Sequence, residues 1–514
     1  MSIFGAEFEK IWPAAGSSLN FSDYGKTLLK KCLDVKKPET INVDIHEFKR
    51  KSSNFPLEFG TNTCRVISQP KDRYPYIERQ IASAYPIIHE RVLKLYLDFL
   101  EHKSNYGSIS EQKLYRDLQL TDFVQRLLTK RCVTFMGPKD LYLLLTGDKG
   151  QGDEYLKIGT QDEIPPLVLN NVISYDEIKL SAFLTVTSHT DFINDGNRNN
   201  RGVIETDLSK IERSGVVVGL IGARFERFGV MEYQDVIIDP RQNVKANGYG
   251  AGNAKEQNSS RLVNYRHIWN GFYENSDYLY EQSAKDEKRF GETFSRSSTT
   301  ESSIFDNVMM KKRYSLTFDT LLVESEARAR QLSKQAYIHV VGIGLGVWKV
   351  ADQQTKIFLE TFTQRLKYLL PQLNHIGVVH FSWFHLSEWG DLRDNGTFLS
   401  ETHPQGGIKT YLSKRNPNEK LTGNEAENML LIVSYAWDGN ALPGNEFWLA
   451  SLDGSNDPST ACSTLVSELH NPHINDAFVS GRNLHVATLD NGVLHISDYV
   501  EKIKDKLWKA CNHF

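Results

Sequence analysis

Cysteine is scarce in this chain and follows no pattern. Cys32, Cys64, Cys132, Cys462 and Cys511 are scattered through 514 residues without a CxxC pair. That excludes a disulfide framework and a thiolate zinc site. Reduced thiols in a cytoplasmic compartment are the simplest reading. Long apolar runs are lacking too. No stretch approaches the roughly 18 residues of a membrane span. The opening MSIFGAEFEKIW lacks a basic segment followed by an apolar one, so no secretory signal is expected. Charge of one sign is not in excess either. A net charge of -4 and a pI near 6.4 leave no electrostatic case for a nucleic-acid or membrane-surface partner.

What is present points to a folded α/β protein. Hydrophobic residues make up 40% and aromatics 11%, enough for a sizeable core. Residues 1–150 are expected to form a mostly helical N-terminal region. Ile87, Val92, Leu95, Leu97 and Leu100 recur at helical spacing, as do Leu114, Leu118, Phe123, Val124 and Leu127. Over 151–514 short β-branched runs alternate with helical patterns. The runs 182–186, 215–221, 236–238, 338–341, 377–381 and 430–435 read as buried strands, and 316–336 and 355–370 as helices. This is an α/β layout with a parallel or mixed sheet. Residues 243–306 are rich in Asn, Ser, Gly, Glu and Lys and read as a polar insertion. Within it, 293–304 has the composition of a disordered linker, while Trp269 and the tyrosines imply some packing.

Four polar segments follow apolar runs. SHTDFINDGNRNNRG (188–202) offers Asn194, Asp195, Asn197, Arg198 and Asn199, a sugar or phosphate site or a plain surface loop. GLIGARFERFGVMEYQDVIID (219–239) offers Arg224, Glu226, Glu232 and Asp235, a substrate clamp or an internal ion pair. VVGIGLGVWK (340–349) places Gly342, Gly344, Gly346, Val347 and Trp348 between a strand and a helix. Free backbone N–H groups and a helix N-terminus hold phosphates there, or the turn is simply close-packed. The motif is neither GxGxxG with its acid nor a P-loop. WDGNALPGNEFWLASLDGSNDP (437–458) sets out Asp438, Asn440, Gly444, Asn445, Glu446 and Asp453 after a strand. Acids there serve acid/base chemistry, or the loop is merely solvated.

Together TDFINDGNRNNRG, GLIGARFERFGVMEY, GIGLGVWK and WDGNALPGNEFWLASLDGSNDP resemble the MavL-like macrodomain family. This is a divergent branch of the macrodomain and poly(ADP-ribose) glycohydrolase group. The resemblance covers about 180–480. It implies a macrodomain-like three-layer α/β/α sandwich with a mixed sheet, alongside the helical N-terminal region. It implies an ADP-ribosylhydrolase that cleaves ADP-ribosyl linkages on a modified protein, with ubiquitin as an expected partner. Asp438, Glu446 and Asp453 are the catalytic acids so implied, although Glu446 stands where an aspartate is expected. Asn194, Arg224, Glu226, Gly342, Gly344, Gly346, Val347, Trp348, Asn440, Gly444 and Asn445 are the ligand-binding residues. Backbone N–H groups near 342–347 would hold the diphosphate, and Asn440 and Asn445 the ribose hydroxyls. Paired carboxylates suit an oxocarbenium-like centre. No metal or cofactor is required. The alternatives are a non-catalytic ADP-ribose reader and an interaction protein with a vestigial site.

Overall fold

The structure is a computed structural model that describes all residues except 1, 18, 42, 251–259, 424–425, 453–457 and 509–514. A ten-stranded mixed sheet runs through it. In chain order its strands are β1 (Tyr85–His89), β2 (Thr185–Asp191), β3 (Ser214–Ile221), β4 (Ala336–Val340), β5 (Ile376–Phe381), β6 (Gly396–Leu399), β7 (Gly407–Tyr411), β8 (Leu430–Trp437), β9 (His485–Thr488) and β10 (Gly492–His495). They lie side by side as β6-β7-β5-β4-β8-β3-β2-β1-β9-β10. The neighbours β7, β5, β4, β8 and β3 are all parallel. β2 runs against both its neighbours, and β6 and β10 close the edges antiparallel.

The central strands are apolar throughout because both their faces are covered. Successive side chains alternate between faces. Val216, Val218, Ile338, Ile432 and Val379 join the main core with Leu316, Leu321 and Phe362. Val217, Tyr337, Val378, Leu431 and Val433 form a second cluster with Leu421 and Val466. The helix Asn307–Gln331 starts where the Asp306 carboxylate accepts from the Met309 N–H at 2.8 Å, an N-cap. It is fastened to the helix Gln354–Leu369 by Arg365, whose Nε and Nη2 reach the buried Asp319 at 2.6 and 2.9 Å.

Three local expectations are corrected. Ile87 lies in β1, ahead of the helix Glu90–Tyr106. Its strand partners are β2 and β9, and pairing across such distances leaves no local periodicity. The helix expected over 316–336 begins at Asn307 and stops at Gln331, so that Ala336 opens β4. The linker-like 293–304 contains ordered structure. Phe294–Arg296 pairs antiparallel with Ile304–Asp306, because Phe294 and Ile304 bury their side chains at its two ends. Among the described residues no helix is long and apolar enough to cross a membrane.

Candidate active site

β3, β8 and β4 are adjacent and parallel, so the segments after them, 222–226, 438–445 and 341–348, meet at one edge of the sheet. Ligands of α/β sheets bind at such carboxyl ends. Two glycines let the outer segments touch across β8. A Cβ on Gly222 would sit 2.7 Å from the Gly344 nitrogen, and Gly344 itself has φ +71°. A side chain at Gly222 would displace that backbone, and one at Gly344 would strain the left-handed conformation.

Arg224 occupies the centre. It is 3% exposed, and each part of its guanidinium faces a different element. Nε donates to Glu226 Oε2 at 2.8 Å. Nη2 donates to Asp140 Oδ1 at 2.6 Å and to the Gly137 carbonyl at 3.2 Å. Nη1 is buried with no hydrogen-bond partner among the described residues, 4.0 Å from Asp438 Oδ2. The rings of Phe135 and Trp348 lie 4.7 and 5.8 Å from the guanidinium carbon. The rest of that segment is structural. Glu232 joins the Arg224 N–H at 3.2 Å to Arg313 Nε at 3.0 Å. Asp235 pairs with Lys179 at 2.6 Å and Arg266 at 2.9 Å.

Asp438 follows β8 directly and is buried. Its Oδ1 accepts the Asn440 N–H at 3.2 Å and its Oδ2 the Asn445 Nδ2 at 3.4 Å. Burial pushes its carboxyl above the usual range, since desolvation disfavours the charged form. Arg224 and the two asparagines pull the other way, and the Glu226 charge adds to the rise. Arg131 approaches from behind, stacked 4.8 Å from the Trp437 ring centre, and burial lowers its own pKa to about 10.

Asn440 and Asn445 brace this loop from within. Asn440 Nδ2 donates to the Tyr155 hydroxyl at 3.3 Å, and its Oδ1 is buried without a partner among the described residues. Asn445 Oδ1 accepts the Phe135 N–H at 2.7 Å. Gly444, at φ +80°, turns the chain into the short helix Asn445–Trp448. Glu446 on that helix is partly exposed, with Oε2 buried and without a partner among the described residues. Asp453 lies outside the described residues.

On the opposite wall Gly342 and Gly346 flank the touching Gly344, and Val347 is 89% exposed. The N–H groups of Gly346, Val347 and Trp348 donate to no acceptor among the described residues, the supply that a diphosphate needs. Asn194 stands apart. Its Nδ2 is used on Asn200 Oδ1 and the carbonyls of Val203 and Cys462, each at 3.1 Å. The loop thereby pins the 459–464 segment, and Asn200 adds a bond to the Ser459 carbonyl at 2.9 Å. Among the described residues no cluster of three or more His, Cys, Asp or Glu is arranged to hold a metal ion.

Residues 46–502 match the family model described as ADP-ribosylhydrolase MavL-like. The chain belongs to the MavL-like ADP-ribosylhydrolase family. Two fruit-fly relatives are similar over nearly their whole length. ADP-ribosylarginine hydrolase CG2909 of Drosophila melanogaster is 48% identical, with 98% of each chain covered. ADP-ribosylarginine hydrolase CG3568 of the same organism is 50% identical, covering 96% of this chain and 95% of its own. Hydrolysis of ADP-ribosyl bonds is thus the activity of this MavL-like enzyme.

Sequence reading missed the wall that residues 135–155 of this family member supply. Phe135, Asp140 and Tyr155 touch site residues, and Tyr175 reaches only Asp140 behind them. The three come from a short strand, a turn and a single-turn 3-10 helix, too short to show a period. The one signal they carry is a polar or aromatic residue set in an otherwise apolar neighbourhood.

Proposed function

We propose that this protein releases ADP-ribose from modified arginine side chains, and that the cleft between 222–226, 341–348 and 438–446 performs the reaction. The observation that carries the reading is Asp438, a buried carboxylate of raised basicity facing an unfilled arginine donor at the carboxyl ends of β3, β8 and β4. The relatives' names supply the arginine linkage.

In this reading the N–H groups of Gly346, Val347 and Trp348 hold the diphosphate. Arg224 Nη1 binds an oxygen of the proximal ribose or the adjoining phosphate. Asp438 takes a proton from water as the water oxygen bonds to the anomeric carbon and the carbon–nitrogen bond to the guanidinium breaks. The departing guanidine then receives that proton. A base made stronger by burial, with Arg224 beside it favouring its charged form, suits this step. Glu446 Oε2, buried and without a partner among the described residues, faces the leaving guanidinium. Asp453 completes the set of acids. A macrodomain-like arrangement of the sheet and a cytoplasmic location belong to the same reading.

The test is release of free ADP-ribose from an arginine-modified protein. ADP-ribosylated ubiquitin runs beside it as the protein substrate expected from the family resemblance. Release from the arginine linkage is expected. Folded wild-type protein that releases nothing from any arginine-linked substrate would sink the proposal.

A further inference from the structure

Asp140 belongs to none of the three strand-end loops, yet the arginine of the site rests on it. It is 0% exposed and has φ +49°, a left-handed backbone conformation uncommon for aspartate. Oδ1 accepts from Arg224 Nη2 at 2.6 Å. Oδ2 accepts from Arg227 Nε and from the Tyr175 hydroxyl. Gly152 leaves the room this requires, since a Cβ there would lie 2.6 Å from Asp140 Cβ. One carboxylate therefore gathers two guanidinium groups from the segment after β3 and a phenol from another. The guanidinium is a planar, rigid fork. With Nε held by Glu226 and Nη2 by Asp140, the direction of Nη1 is settled.

We propose that Asp140 is a positioning residue for ADP-ribosyl hydrolysis. By holding Nη2 it keeps Arg224 from closing the 4.0 Å gap to Asp438, so that Nη1 stays free for substrate and Asp438 stays free for water. This rests on the reading of the cleft given above. The charged and polar groups facing Asp438 are Arg224, Arg131, Glu226, Asn440 and Asn445. Once Asp140 loses its charge, no anion holds Nη2, and the guanidinium is free to swing Nη1 across the gap to Asp438. Collapse onto it removes a donor and a base together.

The experiment measures kcat and KM on an arginine-ADP-ribosylated protein for wild type, Asp140→Asn, Tyr175→Phe, Arg224→Gln and the Asp140→Asn/Arg224→Gln double variant, with a melting curve for each. Asp140→Asn keeps the shape and loses the charge. Its kcat is expected to fall roughly 10- to 100-fold, with a smaller change in KM, as for a misplaced catalytic group. Tyr175→Phe leaves both arginines paired and is expected to stay within a few-fold of wild type. In the Arg224→Gln background Asp140→Asn should cost nothing more, because it acts through Arg224. Full kcat in folded Asp140→Asn, or fully additive losses in the double variant, overturns the proposal. Should Asp140→Asn fail to fold, Asp140→Glu keeps the charge but displaces it, and full kcat there also overturns it. Wild type without activity refutes the underlying reading instead, and the proposal falls with it.

Discussion

Arg224 Nη1 and Asp438 Oδ2 stand 4.0 Å apart, both buried, with no hydrogen bond between them. Each is held back by other partners: Arg224 by Glu226 and Asp140, and Asp438 by Asn440 and Asn445. A closed ion pair would be the more stable local arrangement and a chemically inert one. Charges fixed just short of each other form a preorganised field that needs no rearrangement when a substrate arrives.

Asp438→Asn separates catalysis from stability. Burial raises the native carboxyl above its ordinary value of 3.8, so the folded form binds that proton more tightly than the unfolded chain. Stability therefore falls as pH rises from 3.8 to the raised native value, and the penalty persists above it. The variant should melt higher than wild type at neutral pH. That gain should vanish as the pH drops toward 3.8. Turnover should drop roughly 100-fold or more. Melting curves across pH with a parallel rate assay check both, and an unchanged rate would remove Asp438 from the chemistry.

Arg224→Lys keeps the charge and loses the fork. A lysine ammonium cannot reach Glu226, Asp140 and the Gly137 carbonyl at once while presenting another donor. We expect kcat/KM to fall by roughly 10² to 10³. Steady-state kinetics on the arginine-linked substrate decide it, and a loss below a few-fold would show that charge alone suffices.

Gly222→Ala forces apart the segments after β3 and β4, since the new methyl meets the Gly344 backbone at 2.7 Å. Overpacking of this kind costs about 1–3 kcal/mol. KM should rise as the diphosphate wall shifts. Gly271→Ala, on the helix Arg261–Tyr273, is the control, because nothing lies within 4 Å of its Cβ position. Calorimetry with ADP-ribose should find Gly222→Ala weakened and Gly271→Ala close to wild type. Equal binding by the two would mean that the contact is not needed.

Asn194→Ala tests a clamp rather than a ligand contact. It removes the Nδ2 bonds to Asn200, Val203 and Cys462 and the Oδ1 acceptor of the Gly196 N–H, and buried partners left unsatisfied cost about 1–3 kcal/mol. The melting temperature should fall while ADP-ribose affinity stays near wild type. A selective loss of affinity would return Asn194 to the binding site.

Much of the site was legible locally. A β-branched run followed by Asp, Asn and Gly marks the end of a buried strand, and the runs at 215–221, 377–381 and 430–435 fall within β3, β5 and β8. GARFE and GIGLGVW were recognisable for the same reason. The wall of Phe135, Asp140 and Tyr155 was not, because these residues sit in a short strand, a turn and a single-turn 3-10 helix, which have no period to detect. Nor could sequence divide Arg224 and Glu226 from Glu232 and Asp235. All four are charged residues near one strand, and only their partners distinguish them.

Composition and patterning by themselves determined an α/β chain, the strands that carry the site, and the types of group available there. These depend on neighbours along the chain, where side-chain alternation and backbone freedom act. The order of the strands was decided by tertiary structure alone. It sets β8 between β3 and β4, brings Gly222 against Gly344, and carries Asp140 from the N-terminal part to Arg224. Burial then turned Asp438 from one acid among many into a raised one. Desolvation and partner geometry exist only once distant segments have packed together.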